Sequence, residues 1–194
     1  MDVSAPIRSV VPSLDGSVLA VLASTTAPLS LGDVHRRARG SKSGIRQVLL
    51  RLVDEGLVHD VPGGYVLNRD HVAAPAVDLL ANLHGELARR IRSEAERWPE
   101  PVQLVGLYGS AARRDGDSTS DIDVLVVSDS ADLDHLAEHL TERIRAWTGN
   151  PAQILGLRPA DLRRLRRAKE PISDAWDRDL IVLHGDRRVL RGAS

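Results

Sequence analysis

The sequence contains no cysteine and no phenylalanine, and its aromatic content is only 3%. Without cysteine, the chain can form neither disulfide bonds nor zinc sites built on thiolates. Its apolar cores must therefore consist of leucine, valine, isoleucine and alanine, and apolar residues make up 42% of the 194 residues. A chain of this length forms one large domain or two small ones.

The sequence also lacks long apolar runs and a strong net charge. No run approaches the roughly 18 residues of a membrane-spanning helix. The first residues, Met1 to Pro6, lack the charged and apolar regions of a signal peptide. We therefore expect a cytoplasmic protein that does not associate with membranes. The net charge is −1, so any attraction to nucleic acid must come from a local basic surface.

The most informative segment lies between two apolar runs, residues 102–108 and 124–127. Gly109-Ser110 follows the first run, and Asp121-Ile-Asp123 leads into the second. Because side chains alternate between the two faces of a strand, the two aspartates point to the same side. Two adjacent carboxylates repel each other, and a cation between them relieves the repulsion.

This arrangement predicts a site for Mg²⁺ and a phosphate-bearing ligand. Magnesium is usually held by one or two carboxylates, and substrate phosphates complete its coordination shell. Gly109 allows the backbone to approach a phosphate closely, and the Ser110 hydroxyl and the following N–H groups can donate hydrogen bonds to it. The alternative is a solvated pair of aspartates at the start of an ordinary strand.

In this segment, Gly109-Ser110 is followed by ten residues and then by Asp121-Ile-Asp123. This pattern resembles the signature of the minimal nucleotidyltransferases of the DNA polymerase β superfamily. The resemblance extends over about half of the chain and implies a polymerase-β-like domain with a mixed sheet, which we assign to residues 100–194. Such a domain transfers a nucleoside monophosphate from a nucleoside triphosphate to a hydroxyl of a protein or a small molecule, with Mg²⁺ as cofactor. The resemblance implies that Gly109 and Ser110 bind the nucleotide, and we add Arg113 as a candidate nucleotide-binding residue. It also implies that Asp121 and Asp123 are catalytic and bind the metal.

One position departs from the family pattern. The family usually carries a third carboxylate, which positions a metal and helps to deprotonate the acceptor hydroxyl, on the strand that we predict at residues 152–157. The corresponding residue here is Gln153, whose neutral amide can neither act as a base nor balance a second Mg²⁺. General base catalysis contributes roughly 10²–10⁴-fold. The sequence therefore supports nucleotide binding and leaves transfer open.

Residues 1–72 have the pattern of three short helices followed by a β-hairpin. We predict helix caps at Asp15, Ser30 and Ser43, and Pro62-Gly-Gly64 separates two short strands. This pattern is similar to the winged helix-turn-helix fold of bacterial transcription regulators. The resemblance implies a DNA-binding domain.

Basic residues concentrate around the presumed recognition helix. Six of them and no acidic residue lie from His35 to Arg51. The turn before this helix and the first residues of the helix are where the protein would contact the phosphates and base edges of DNA. Double-stranded DNA is therefore the expected partner. Arg46 and Gln47 can bond bidentately to base edges, and the other candidate DNA-binding residues are Arg36, Arg37, Lys42 and Ser43. The alternative is a winged helix that contacts protein and turns its arginines to solvent.

We predict one long helix at residues 73–99 that links the two domains. Apolar residues recur along one side of it, and Pro99 and Pro101 stop the helix. Such a helix can pack on either domain or pair with a second copy of the chain, so homodimerisation stays open. A short match to a zinc-binding motif, His135-Leu-Ala-Glu-His139, lies on another predicted helix. Its polar side chains fall largely outside the apolar stripe, which favours a solvated surface.

These features predict an α/β (α+β) protein. Three functions are consistent with them. The first is a Mg²⁺-dependent nucleotidyltransferase. The second is a DNA-binding transcription regulator whose weak or inactive transferase domain senses nucleotide. The third is an antitoxin-like protein that binds a protein partner and represses its own operon. Gln153 favours the second and third functions, whereas the glycine–serine turn and the aspartate pair favour nucleotide binding in all three.

Overall fold

The structure, a computed structural model, describes residues 1–191. The chain divides into two compact units. The first unit comprises residues 4–83 with Asp2, and the second runs from His84 onwards and includes Met1 and Val3. Both units combine helices with strands, so the protein is mixed α/β. Within residues 1–191, no helix is long and apolar enough to cross a membrane.

Helices and one β-hairpin make up the first unit. A 3-10 helix precedes α1 (Leu14–Ala23), α2 (Leu31–Arg37) and α3 (Lys42–Asp54). An antiparallel hairpin of β1 (Val58–Val61) and β2 (Gly64–Leu67) follows, and then α4 (Ala74–Ala81). The helices α1 to α4 and both strands contribute to one apolar core, which includes Val18, Leu22, Val34, Ile45, Leu49, Leu52, Val58, Leu67 and Val77.

Two of the three predicted helix caps were wrong. Ser13 rather than Asp15 is the N-cap of α1, and Ser41 rather than Ser43 is the N-cap of α3. The Ser41 hydroxyl accepts a hydrogen bond from the Gly44 N–H at 3.1 Å. Asp15 lies in the first turn of α1 instead and accepts a hydrogen bond from the Ser13 hydroxyl. Each segment offers two capping residues, and in each the helix begins at the earlier one.

The hairpin is joined to the chain before α2 by a close backbone contact. Leu29 and Tyr65 exchange two backbone hydrogen bonds, of 3.0 and 2.9 Å. Gly64 has a φ of +130°, and a Cβ there would lie 2.2 Å from the carbonyl oxygen of Leu29. Only glycine fits this position, and its lack of a side chain lets the hairpin backbone lie against the residues before α2. Ser30 caps α2 as predicted, by accepting a hydrogen bond from the Asp33 N–H.

The segment predicted as one linker helix, residues 73–99, consists of two helices. α4 ends at Ala81 and α5 (Leu83–Arg97) follows, because Asn82 between them has φ −105° and ψ 27°. Asparagine leaves the helical conformation readily, since its side chain offers the backbone other hydrogen bonds. The α4 residue Val77 lies in the core of the first unit, whereas α5 contributes Leu87 and Ile91 to a core of the second.

A four-stranded mixed sheet forms the centre of the second unit. Its strands are β3 (Val102–Tyr108), β4 (Ile122–Ser128), β5 (Ala152–Leu157) and β6 (Ile181–Gly185), in the order β5-β4-β3-β6. β3 pairs antiparallel with β4 and β6, and β4 pairs parallel with β5. A parallel pair needs a crossover connection, and α7 (Leu133–Thr148) supplies it. The other helices of this unit are α6 (Gly109–Arg113), α8 (Pro159–Arg167), α9 (Pro171–Asp179) and α10 (Arg188–Arg191).

Two apolar cores cover the two faces of this sheet. On one face, Val105 and Val124 are buried under α5 and α7. On the other, Leu104 and Leu125 are buried with Trp176 under α8 and α9. This division follows from the alternation of side chains along β3 and β4. The unit is therefore a three-layer structure with a helix layer on each side of the sheet.

Candidate functional site

The end of β3 and the start of β4 lie side by side at one edge of the sheet. Tyr108 and Asp123 are paired in the antiparallel ladder, and α6 begins at Gly109, directly after Tyr108. The predicted phosphate-binding turn and the aspartate pair are therefore neighbours, although ten residues separate Ser110 from Asp121 along the chain.

Gly109 lies directly against the carboxylate of Asp123. Its φ is +69°, in the left-handed region, and a Cβ at this position would lie 2.2 Å from Oδ2 of Asp123. Both the backbone conformation and the lack of space require glycine here. The neighbouring Ser110 is partly exposed, and its hydroxyl can donate to a ligand at this edge.

Asp121 and Asp123 form a pair of neighbouring carboxylates that repel each other. Ile122 between them is fully buried, whereas both aspartates are partly exposed. Burial raises the pKa of Asp123, and the charge of Asp121 raises it further, while Arg113 opposes the shift. A divalent cation would remove the repulsion between the two carboxylates.

The third carboxylate position holds an amide that is bonded to this pair. The register of β4 and β5 pairs Gln153 with Asp123, and Nε2 of Gln153 donates a 2.7 Å hydrogen bond to Oδ2 of Asp121. Among residues 1–191, no group of three or more acidic, histidine or cysteine side chains could hold a metal. Two carboxylates suit one Mg²⁺ whose shell is completed by phosphate oxygens. They do not suit a second cation.

Arg113 is held by two carboxylates. Its Nε donates to Asp115 at 2.8 Å, and its Nη1 donates to Asp179 at 2.7 Å. The Asp179 side chain is only 4% exposed and also accepts two hydrogen bonds from Arg178. The hydrogen bonds from Arg178 and Arg113 lower the pKa of Asp179. Since Arg113 also acts on the pKa of Asp123, it is a fixed positive charge beside the site.

Sequence reasoning missed two positioning residues. Asn150 is fully buried, and its Nδ2 donates to the carbonyl oxygens of Ser118 and Ser120 at 3.2 and 2.9 Å. It thereby holds the loop that leads into β4. Asp179 holds Arg113 from 66 residues away. No local pattern marks either residue, because each acts through a contact that is distant in the sequence.

Tyr108 lies next to Asp123 in the sheet. Burial and the charge of Asp123 raise the pKa of Tyr108 to about 12. Its ring meets the Trp176 ring edge-on, with centroids 6.4 Å apart. A hydroxyl with this pKa stays protonated at neutral pH, so Tyr108 does not supply the missing base.

The two histidines of the segment that matches a zinc-binding motif, His135 and His139, contact other side chains. His139 Nε2 lies 3.2 Å from Glu94 Oε2, and the His135 ring packs edge-on against Trp98, with centroids 5.8 Å apart. Glu138 is exposed. These contacts agree with the interpretation of this segment as a helix surface.

The predicted DNA-binding residues lie on α2 and α3. Arg36 forms an ion pair with Asp33, and Arg37 is exposed. A groove of about 620 Å³ runs along the first turns of α3 and is lined by Leu31, Lys42, Ser43, Arg46, Gln47 and Leu50. Within residues 1–191, neither basic residue of this groove forms an ion pair, whereas Arg51 on the same helix pairs with Asp15 and Glu55. The groove therefore presents positive charge and a bidentate amide on one side of α3.

Residues 88–150 match the nucleotidyltransferase domain family. This segment contains the glycine–serine turn and the aspartate pair and ends three residues before Gln153. The first unit lies outside the match. No curated protein matched the chain.

Several solved structures are similar to the chain. One is a toxin–antitoxin complex with AMP-PNP, with a TM-score of 0.41 and 16% identity over 55% of this chain and 82% of that one. Another is the tri-AMPylated Shewanella oneidensis HEPN toxin in complex with the MNT antitoxin, with a TM-score of 0.39 and 15% identity over 57% and 82%. The toxin–antitoxin pair MntA–HepT has a TM-score of 0.38 and 15% identity over 56% and 79%. These similarities are too low to assign an activity or a partner to this chain.

Proposed function

We propose that the second unit binds a nucleoside triphosphate together with one Mg²⁺, through Gly109, Ser110, Asp121 and Asp123. The match of residues 88–150 to the nucleotidyltransferase domain family supports this class of ligand. The observation that carries the proposal is the contact of the Gly109 backbone with the Asp123 carboxylate. It joins a phosphate-binding turn and a cation-binding pair in a single site.

Each side chain has a distinct role in this proposal. Glycine at 109 lets a phosphate approach the backbone closely, and the Ser110 hydroxyl donates to a phosphate oxygen. Asp121 and Asp123 would hold the Mg²⁺, which neutralises phosphate charge and polarises the phosphoryl group. Arg113 adds a fixed positive charge that favours an anionic ligand.

We further propose that nucleotide transfer is slow. The Gln153 amide donates to Asp121 and cannot accept the proton of an acceptor hydroxyl. Loss of a general base costs roughly 10²–10⁴-fold in rate. The site then serves to bind and sense nucleotide, as expected for a regulator, rather than to turn it over rapidly.

Calorimetric titration with each nucleoside triphosphate, with and without Mg²⁺, tests this proposal when pyrophosphate release is measured on the same samples. We expect Mg²⁺-dependent binding of at least one nucleotide, with little release. Binding should be lost when Asp121→Asn and Asp123→Asn are combined, and retained in the control Asp134→Asn, which changes an exposed carboxylate on α7. Binding that survives the double substitution would contradict the site. Rapid release would instead show that the chain is an enzyme that tolerates Gln153.

We also propose that the first unit is a winged helix-turn-helix domain that binds double-stranded DNA. Its order of three helices and a hairpin supports this fold, and the groove along α3 supports the binding surface. Arg46 and Gln47 would contact base edges, and Lys42 and Ser43 would contact phosphates. Transcriptional repression, an antitoxin-like pairing with a protein and homodimerisation stay predictions of the sequence.

The substitution Arg46→Ala tests the DNA-binding proposal. A lost bidentate base contact costs about 1–3 kcal/mol, so we expect affinity for a selected DNA site to fall roughly 5- to 150-fold. Arg145→Ala removes the same charge from the exposed surface of α7 in the second unit and is the control. Fluorescence anisotropy with DNA selected from a random library measures both. Equal affinities for the Arg46 variant and the unsubstituted protein would remove α3 as the recognition helix.

A further inference from the structure

Helices α5 and α7 enclose a second polar pocket, of about 170 Å³. Four arginines line it, together with a serine, a glutamate and a tryptophan: Arg89, Arg90, Arg97, Arg143, Ser93, Glu94 and Trp147. The pocket belongs to the helix layer on one face of the sheet, where Ile122 is buried. Asp123 is paired with Tyr108, which packs in the core on the other face. The arginine pocket is therefore separate from the aspartate site.

Positive charge exceeds negative charge in this pocket. Glu86 pairs with two of the arginines, and Glu94 pairs with the other two. Glu94 is only 14% exposed and also contacts His139. Four guanidinium groups thus share two carboxylates, which leaves an excess of about two positive charges.

Trp147 brings two of the guanidinium groups together. Cζ of Arg90 lies 5.8 Å and Cζ of Arg143 lies 5.1 Å from the centre of the indole ring, which are cation–π distances. Arg90 uses its Nε to bond Glu86, and the Nε of Arg143 is the atom paired with Glu94. Within the part of the chain that the structure describes, no hydrogen bond joins the terminal nitrogens of either arginine to a carboxylate. These nitrogens are the forked donors that suit phosphate oxygens.

We propose that this pocket binds a phosphoryl group, either as inorganic phosphate or as a phosphomonoester. A phosphomonoester carries a charge of about −1.5 to −2 at neutral pH, which matches the excess of positive charge. A pocket of about 170 Å³ accommodates one phosphoryl group together with a few ordered waters.

Calorimetric titration of the full chain with inorganic phosphate tests this proposal. The buffer contains EDTA, so that Mg²⁺-dependent binding at the aspartate pair is not measured, and chloride keeps the ionic strength constant. We expect one phosphate site per chain. Arg143→Gln should weaken it roughly tenfold or more, the usual effect of losing a hydrogen bond to a charged group. Arg145→Gln removes the same charge two residues away, where the side chain is exposed, and should leave the affinity unchanged within about twofold.

A second variant and a second ligand complete the test. Arg90→Gln should give the same loss as Arg143→Gln from the opposite helix, which guards against a folding defect in either variant. Titration with glycerol phosphate distinguishes the two sources of the phosphoryl group, because tighter binding of the ester would identify a phosphorylated ligand and tighter binding of phosphate the free anion. The proposal is overturned if millimolar phosphate gives no binding heat, or if Arg145→Gln weakens binding as much as Arg143→Gln.

Discussion

Replacing Gln153 with aspartate should make nucleotide transfer faster. The β4–β5 register pairs residue 153 with Asp123, and the present side chain already reaches Asp121 at 2.7 Å. A carboxylate at this position could accept the proton of an acceptor hydroxyl. General base catalysis contributes roughly 10²–10⁴-fold. We expect pyrophosphate release to rise by about 10²-fold, at the lower end of that range, because aspartate is one methylene shorter than glutamine.

The same substitution should destabilise the protein when Mg²⁺ is absent. It removes the hydrogen bond to Asp121 and adds a third negative charge to the pair. Two like charges at about 4 Å repel by about 4 kcal/mol at an effective dielectric constant of 20, and by about 1 kcal/mol in water. Because residue 153 is exposed, the lower figure applies. We expect the free energy of unfolding to fall by about 1–2 kcal/mol in EDTA, and Mg²⁺ to restore it by binding the folded state.

The matched control is Gln153→Asn, which has the length of aspartate without its charge. With no other acceptor added, water takes the nucleoside monophosphate as pyrophosphate leaves, so pyrophosphate release from the nucleotide that binds, measured with Mg²⁺, reports transfer. Chemical denaturation with and without Mg²⁺ reports stability. If the aspartate and asparagine variants release pyrophosphate at the same rate, residue 153 does not limit transfer and the reasoning fails.

Three further substitutions test the surroundings of the site. Gly109→Ala should cost about 1–2 kcal/mol of stability, measured by urea denaturation, because residue 109 has a positive φ. It should also abolish nucleotide binding, measured by calorimetry, because the new Cβ displaces the Asp123 carboxylate. Unchanged nucleotide binding would contradict the close contact between Gly109 and Asp123. Asp179→Asn should free Arg113 and weaken triphosphate binding roughly three- to tenfold. The control, Asp174→Asn on the exposed surface of α9, should leave triphosphate binding unchanged. Similar affinities for both variants would show that Asp179 is not a positioning residue. Asp123→Asn should stabilise the Mg²⁺-free protein at neutral pH, because the raised pKa of this carboxyl makes stability fall as pH rises above its unfolded value of 3.8. Denaturation between pH 3.5 and 7 should show the gain shrinking towards acid, where the carboxyl is protonated in both states; a gain independent of pH would argue against this cause.

Local properties of the sequence determined most of the elements and the central residues of the site. The apolar runs predicted β3, β4 and β5, because short buried strands need only consecutive apolar residues between turn residues. The residue types in Gly109-Ser110 and Asp121-Ile-Asp123 identified the end of β3 and the start of β4 as the place of the proposed site. The family resemblance also identified Gln153 as the residue at the position of the third carboxylate, and the register of β4 and β5 pairs it with Asp123.

The tertiary structure decided which of several locally equivalent choices the chain makes. The sequence predicted Asp15 and Ser43 as caps, whereas Ser13 and Ser41 are the caps of α1 and α3, and a helix through Asn82 was compatible with the apolar spacing. Only the packed chain shows that the helix ends at Asn82 and that Asn150 holds the loop before β4. It also shows that Asp179 immobilises Arg113. These contacts join residues far apart in the chain, so no local pattern encodes them; they arise when the sheet brings its edges and helices together.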